Sequence, residues 1–386
     1  MNIELAGRVN AMTSFLVMDV LDKAKEMQKE GVNVVHLEVG EPDFDVPECV
    51  SAAVAEAYQE KRTHYTASLG DIELREEISA LYEREYGVKV SPDRICITCG
   101  SSPAILFLML MLCNEGDEVI LSNPGYACYK NFVLAAGAKP VYVPLYAEKG
   151  FAYDVNDIRD RITDRTAAIF INSPMNPTGA LLSEDFMREV SQMGVPVISD
   201  EIYHGLVYEG KAHSILEYTQ NAFVLNGFSK RYAMTGLRLG YIICPEECMP
   251  QMVKLQQNFM ICAGSTAQRA GIAALRDRSD YVKDMQTTYD ERRRYMLDRL
   301  RKMGFVIPKD PQGAFYIFAD ARKYTNDSLA FVFEVLEKAH VGITPGIDFG
   351  SNGEGYVRFS YANSLENIKE GLDRLEIFLK NYCRVK

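Results

Sequence analysis

The sequence of 386 residues predicts an α/β protein: a large domain with a mostly parallel, seven-stranded-type sheet covered by helices, plus a smaller α+β domain from both chain ends. Three observations predict it. Between about residues 48 and 260, short apolar runs alternate with helical patterns, as strands and crossover helices do in a parallel sheet. Polar residues cluster where those runs end, which is where ligands bind in open α/β sheets. The remainder changes to a long charged helix, two strands and a final helix. Residues 1–45 are therefore an arm and part of the small domain, 46–280 the large domain, and 281–386 the small C-terminal domain.

The elements follow in order. FLVMDVLDKAKEMQKEG is the first helix, with Val17, Val20, Ala24 and Met27 at helical spacing and Gly31 as its stop. VVHLEV is a short strand. The runs of the large sheet are RICITC, EVILSN, PVYVPL, AAIFIN, VPVISD, AFVLNG and GYIIC. Leu237, Leu239, Tyr241 and Ile243 alternate as a strand would. GLVYEGKA, residues 205–212, has phosphate-loop spacing up to its lysine, but alanine replaces the required hydroxyl, so it reads as a hairpin. The helix DYVKDMQTTYDERRRYMLDRLRKMG opens the last part, followed by the strands GAFYIFAD and GYVRFSYA and a helix near 364–381.

Composition narrows the partners. A net charge of −11 argues against a nucleic-acid or anionic-membrane partner. The start, MNIELAGRVNAM, lacks the pattern of a signal peptide, and the longest apolar run, AILFLMLMLC at 104–113, is too short for a bilayer. Nine scattered cysteines then imply reduced thiols in a cytoplasm. Cys96 and Cys99 have a metal-like spacing, but a strand would point them to opposite faces, and the five histidines show no ligand spacing. No metal is expected.

The chemistry gathers at the strand ends. Gly100-Ser101-Ser102 opens a helix and suits a phosphate, which Arg238 would meet with a fixed cation. Tyr126 would stack on a flat heterocycle. Asp200 would keep a pyridine nitrogen protonated, and Asn176 and Tyr203 would bond a ring hydroxyl. Lys230, just past the run Phe223-Val224-Leu225, would condense with an aldehyde. Aldehyde, phosphate and pyridine together describe pyridoxal 5′-phosphate. Singly, each residue has an ordinary reading: Lys230 a snorkelling lysine, Arg238 or Arg358 a paired cation, Asp200 a helix cap, Tyr126 core. Their order and common placement favour a site.

The segments GFSKRYAMTGLRLG, SPMNPTG and DEIYHGLVY, with HYTASLGDIELREEI and TPGIDFGSNGEGYVRFSYA, resemble the class I/II pyridoxal-phosphate aminotransferases, the fold-type I family of aspartate aminotransferase. The likeness runs from about Val39 to Ala362. It implies the cofactor bound covalently at Lys230, with Ser229 joining Ser101, Ser102 and Arg238 at the phosphate. Arg358 would clamp the substrate α-carboxylate, with Gly40 nearby. Tyr65 would reach the neighbouring subunit's site, making the active unit a homodimer. The implied activity moves an amino group from an L-amino acid to a 2-oxo acid in a pyridoxal phosphate/pyridoxamine phosphate ping-pong cycle. A β-lyase on the same scaffold, or a non-catalytic sensor of the cofactor, are the alternatives. Gly227 departs from relatives that carry serine there, and Ser102 stands where some aspartate-selective relatives carry lysine. The sequence leaves the donor, acceptor and pathway open.

Overall fold

The computed structural model describes residues 3 and 5–382. Its centre is a seven-stranded sheet in the order Ile95–Thr98, Gly240–Ile243, Ala222–Gly227, Val197–Asp200, Thr166–Asn172, Glu118–Asn123 and Lys139–Pro144. The strands from Ala222–Gly227 outward to Lys139–Pro144 pair in parallel. Gly240–Ile243 runs antiparallel to both neighbours.

The two-residue period of a strand decides which helix layer each side chain meets. Ile95, Ile97, Ile169, Ile171, Val197, Val224 and Ile243 enter one core. Cys96, Ala168, Phe170, Ile198, Phe223, Leu225 and Ile242 enter the core on the opposite face. Both faces are covered, which is why the strands read as continuous apolar runs. The helix Ser101–Leu112 lies between this sheet and the helix Met249–Phe259, so AILFLMLMLC is apolar because it is sandwiched.

A third core joins the chain ends. Val20, Ala24, Met27, Val35 and Leu37 pack with Met296, Leu300, Phe331, Val335, Leu372 and Leu375. Val35–His36 pairs in parallel with Val341–Gly342. Thr344–Pro345, Tyr356–Ser360 and Tyr316–Asp320 form a three-stranded antiparallel sheet. Ile202, Tyr203 and Leu206, just past the strand Val197–Asp200, belong to the same core. The carboxyl ends of the large sheet thus abut the smaller sheet, and a cleft lies at that junction.

Three local expectations change. The strand expected from Leu237 begins at Gly240 and is buried throughout. Arg238 has φ 51°, a left-handed conformation that interrupts an extended run. In VVHLEV only Val35–His36 pairs, because its partner Val341–Gly342 is equally short. GLVYEGKA forms no hairpin: Val207 bridges to Gly313, and the Tyr208 N–H donates to the Gln312 carbonyl at 2.8 Å. Cys99 lies past the end of Ile95–Thr98 and packs on the face opposite Cys96. Among the described residues no helix is long and apolar enough to cross a membrane.

Candidate active site

The strand Ile95–Thr98 ends in a turn at Gly100, which has φ 89° and leads into the helix Ser101–Leu112. The Thr98 hydroxyl donates to the Gly100 carbonyl at 2.8 Å and fixes that turn. A Cβ at Gly100 would lie 2.6 Å from Arg238 Nη2, so only glycine lets the guanidinium come this close. Arg238 is held from its own side by donating Nη1 to the Thr235 carbonyl at 2.9 Å. Gly240 faces the turn, and a Cβ there would approach Ser101 N to 3.0 Å. A helix start, two serines and an arginine therefore border one pocket, an anion-binding arrangement. Gly227 has a comparable reason: a Cβ there would stand 3.0 Å from the Leu239 carbonyl.

Asp200 ends the central strand Val197–Asp200 and is 4% exposed. Its Oδ2 accepts from the Tyr129 hydroxyl at 2.7 Å, and its Oδ1 from the Ile202 N–H at 3.0 Å. Burial pushes its pKa up to about 6, against the pull of these donors and of Lys230. The Asn172 amide donates to the Asp200 carbonyl at 2.9 Å and accepts from the Asn176 N–H at 2.9 Å, tying two strand ends together.

Lys230 follows the strand Ala222–Gly227, and its Nζ donates to the Gly40 carbonyl at 2.6 Å. Burial lowers its pKa to about 8; Arg358 and Arg238 act in the same direction, Glu41 and Asp200 against it. A cation so weakened by burial is not a solvated surface lysine. Gly40 is itself constrained, since a Cβ would lie 2.3 Å from the Tyr316 hydroxyl.

Arg358, on the strand Tyr356–Ser360, is 2% exposed. Its Nη1 donates to Asn176 Oδ1 at 3.0 Å, and its Nη2 to the Glu38 carbonyl at 2.7 Å and to Thr344 Oγ1 at 3.2 Å. Its Nε has no partner, and all three acceptors are neutral. The guanidinium lies over the Tyr316 ring, 4.2 Å from its centroid. A buried cation whose hydrogen bonds all go to neutral acceptors is poised for an anion. With Asn176 Oδ1 engaged, its amide nitrogen is what Asn176 offers to a ligand oxygen. Tyr203 and Tyr316 share a hydrogen bond of 2.9 Å. Burial pushes the phenols of Tyr126 and Tyr203 well above their ordinary pKa, so both stay protonated.

Gly40, Ser101, Ser102, Tyr126, Asn176, Asp200, Tyr203, Ser229, Lys230, Arg238 and Arg358 all line one cavity of about 380 Å³. Tyr65 does not line it and is 79% exposed in the single chain. A wider hollow of about 700 Å³ lies beside the helix Leu365–Asn381, but its Lys338 and Arg374 are already paired with Glu334 and Glu370. Sequence reasoning missed several neighbours. Asn172 had a legible signal, as the polar end of AIFIN, whereas Tyr129 had none beyond lying three residues after Tyr126. Tyr316 lies in the strand GAFYIFAD, to which sequence reasoning assigned no site role. Phe15, Met18 and Leu21, which line the cavity, carried no signal beyond their helix.

The family described as aminotransferase class I and II matches residues 32–375. The (5-formylfuran-3-yl)methyl phosphate transaminase of Methanocaldococcus jannaschii is 42% identical, over 97% of this chain and 99% of its own. Aromatic-amino-acid aminotransferase 2 of Thermococcus litoralis is 35% identical, over 97% and 98%. The solved structure of the Thermus thermophilus aspartate aminotransferase with maleate superposes with a TM-score of 0.93 at 34% identity, covering 97% of this chain and 100% of that one.

Proposed function

The chain belongs to the class I and II aminotransferases, and from that premise we propose how its own residues carry out transamination. It is a transaminase, moving an amino group from an amino acid to a 2-oxo acid, and the family uses pyridoxal phosphate. The names of its relatives support this reading and lend nothing to a β-lyase or a sensor. The observation that carries the residue assignment is Arg358: a buried guanidinium with neutral acceptors only, in the same cavity as Lys230.

When bound, pyridoxal phosphate supplies an aldehyde for the amine and a protonated ring that withdraws electrons from the substrate Cα. Ser101, Ser102, Ser229 and Arg238 would hold its phosphate through hydroxyls, backbone N–H groups and one fixed charge. Asp200 would pair with the ring nitrogen, and Tyr126 would cover the ring. The Asn176 amide and the Tyr203 hydroxyl would donate to the ring oxygen. Lys230 would anchor the group and, once released, carry a proton between Nζ and the substrate Cα. Arg358 would fix the α-carboxylate in a two-pronged grip, orienting the Cα–H bond. Gly40 supports this clamp by admitting the Tyr316 hydroxyl beneath it. Residues 46–280 would form the cofactor-binding domain, with the clamp on the remainder.

The donor we propose is a neutral amino acid with an apolar side chain. The cations lining the cavity are Lys230, Arg238 and Arg358, each already given a role, while Ser102 is neutral. Phe15, Met18, Leu21 and Val39 supply apolar wall, and Glu41 adds a negative charge. A second carboxylate would be buried without a partner. With 2-oxoglutarate as acceptor, kcat/KM for alanine, methionine or phenylalanine is expected to equal or exceed that for aspartate. A preference for aspartate of a hundredfold, about 2.7 kcal/mol of transition-state binding, would overturn this assignment.

We also propose a cytoplasmic homodimer in which Tyr65 serves the partner's cofactor phosphate; its exposure in the single chain supports this. Mixing Lys230→Ala and Tyr65→Phe chains is then expected to give hybrid dimers with one intact site and activity above that of either variant alone. No gain after verified subunit exchange would remove Tyr65 from the partner's site.

A further inference from the structure

We propose that Tyr129 is a positioning residue whose phenol holds Asp200, as an anion, aimed into the cavity. Nothing in the sequence patterns assigns it a role; its place in the fold does. It begins the helix Tyr129–Ala135, yet its hydroxyl reaches the end of the strand Val197–Asp200 and meets Asp200 Oδ2 at 2.7 Å. The other oxygen, Oδ1, accepts from the Ile202 N–H at 3.0 Å. With the Asp200 carbonyl also held by Asn172 at 2.9 Å, the carboxylate is fixed at both oxygens and at its own backbone.

The phenol is itself locked. Its ring centroid lies 4.1 Å from that of Phe170 and 5.1 Å from that of Tyr126, and the residue is 6% exposed. Burial pushes its pKa well above the ordinary value, so it donates and does not compete as an anion. Two phenols and one cation bear on Asp200: Tyr126 and Tyr129 from the segment after Glu118–Asn123, and Lys230 from the turn after Ala222–Gly227. Lys230 is committed elsewhere in the reaction. The dependable stabilisation of a buried anion here comes from the two donors, and Tyr129 is the one that is a side chain.

This inference rests on the assignment of Asp200 to the ring nitrogen. An Asp200 carboxyl that took up a proton could no longer hold one on the ring. Removing a donor from a carboxylate raises its pKa, so the loss would appear as pH falls. Tyr129→Phe keeps the ring and its contacts. The melting temperature of the cofactor-free protein is expected to stay near wild type. The dissociation constant for pyridoxal phosphate is expected to rise about tenfold, and the acid limb of kcat/KM to move up by about one pH unit. Tyr129→His, which retains a ring N–H, is expected to recover part of that affinity.

In the Asp200→Asn background, Tyr129→Phe should cost no further cofactor affinity, since its effect runs through the carboxylate. Additive losses would overturn the proposal, as would unchanged affinity and pH profile in Tyr129→Phe when Asp200→Asn is impaired. If Asp200→Asn itself kept wild-type affinity and turnover, the ring-nitrogen assignment would fail and this inference with it.

Discussion

Replacing Lys230 with alanine is expected to reduce turnover by at least about a thousandfold, the upper part of the range for loss of a positioned proton carrier. The protein as isolated should be yellow, and borohydride reduction should leave a pyridoxyl group on the peptide that carries Lys230. Label on any other lysine would sink the assignment, and so would near-normal turnover of Lys230→Ala. The geometry also sets a pH expectation. Burial holds the Lys230 amine down to about 8, so its neutral, nucleophilic form accumulates as pH rises through that value. Capture of added pyridoxal phosphate by the cofactor-free protein should accelerate over the same interval. An acceleration centred near the ordinary lysine range would mean that the amine is more exposed than its contact with Gly40 implies.

The second large effect is expected at Arg358→Lys. Lysine keeps the charge but presents a single ammonium, so it loses the two-pronged grip on a carboxylate and the stacked contact with Tyr316. KM for α-amino acid donors should rise about ten- to a hundredfold, the worth of a charge-assisted hydrogen bond. For an amine without an α-carboxylate, kcat/KM should change by less than about threefold. Equal losses for both kinds of donor, with a lowered melting temperature, would make Arg358 a support of the fold. Its bonds to the Glu38 carbonyl and Thr344 make that alternative a fair one to test.

Much of the site was legible because strand ends are. A parallel strand buried on both faces must be apolar until it stops, so the first polar residues after AIFIN, PVIS and FVLNGFS stand out against their neighbours. Those residues include Asn176, Asp200 and Lys230, and the fold carries all of them to one cavity. The residues that were not legible are those whose role depends on reach. Tyr129 looks like any aromatic beside a helix until its hydroxyl is seen on Asp200. Tyr316 looks like strand core until its ring is seen beneath Arg358. Gly40, Gly100 and Gly227 could be counted in the sequence, but the atoms that exclude a Cβ at each belong to distant segments.

The sequence by itself determined the α/β class, the order of the strands along the chain, the family, and the residue types able to hold a phosphate, a pyridine and an aldehyde. These follow from periodicity and from covalent order, which are local properties. Only the tertiary structure decided that Leu237 and Arg238 lie outside the strand, that Val207 pairs with Gly313, and that Arg358 hydrogen-bonds to no carboxylate among the described residues. Each of these depends on which atoms a fold brings within a few ångströms, and contacts between residues far apart in the chain leave no periodic trace in it. Arg358 is the clearest case. Its charge is written in the sequence, but the neutral acceptors that leave that charge available come from the segments of Glu38, Asn176 and Thr344.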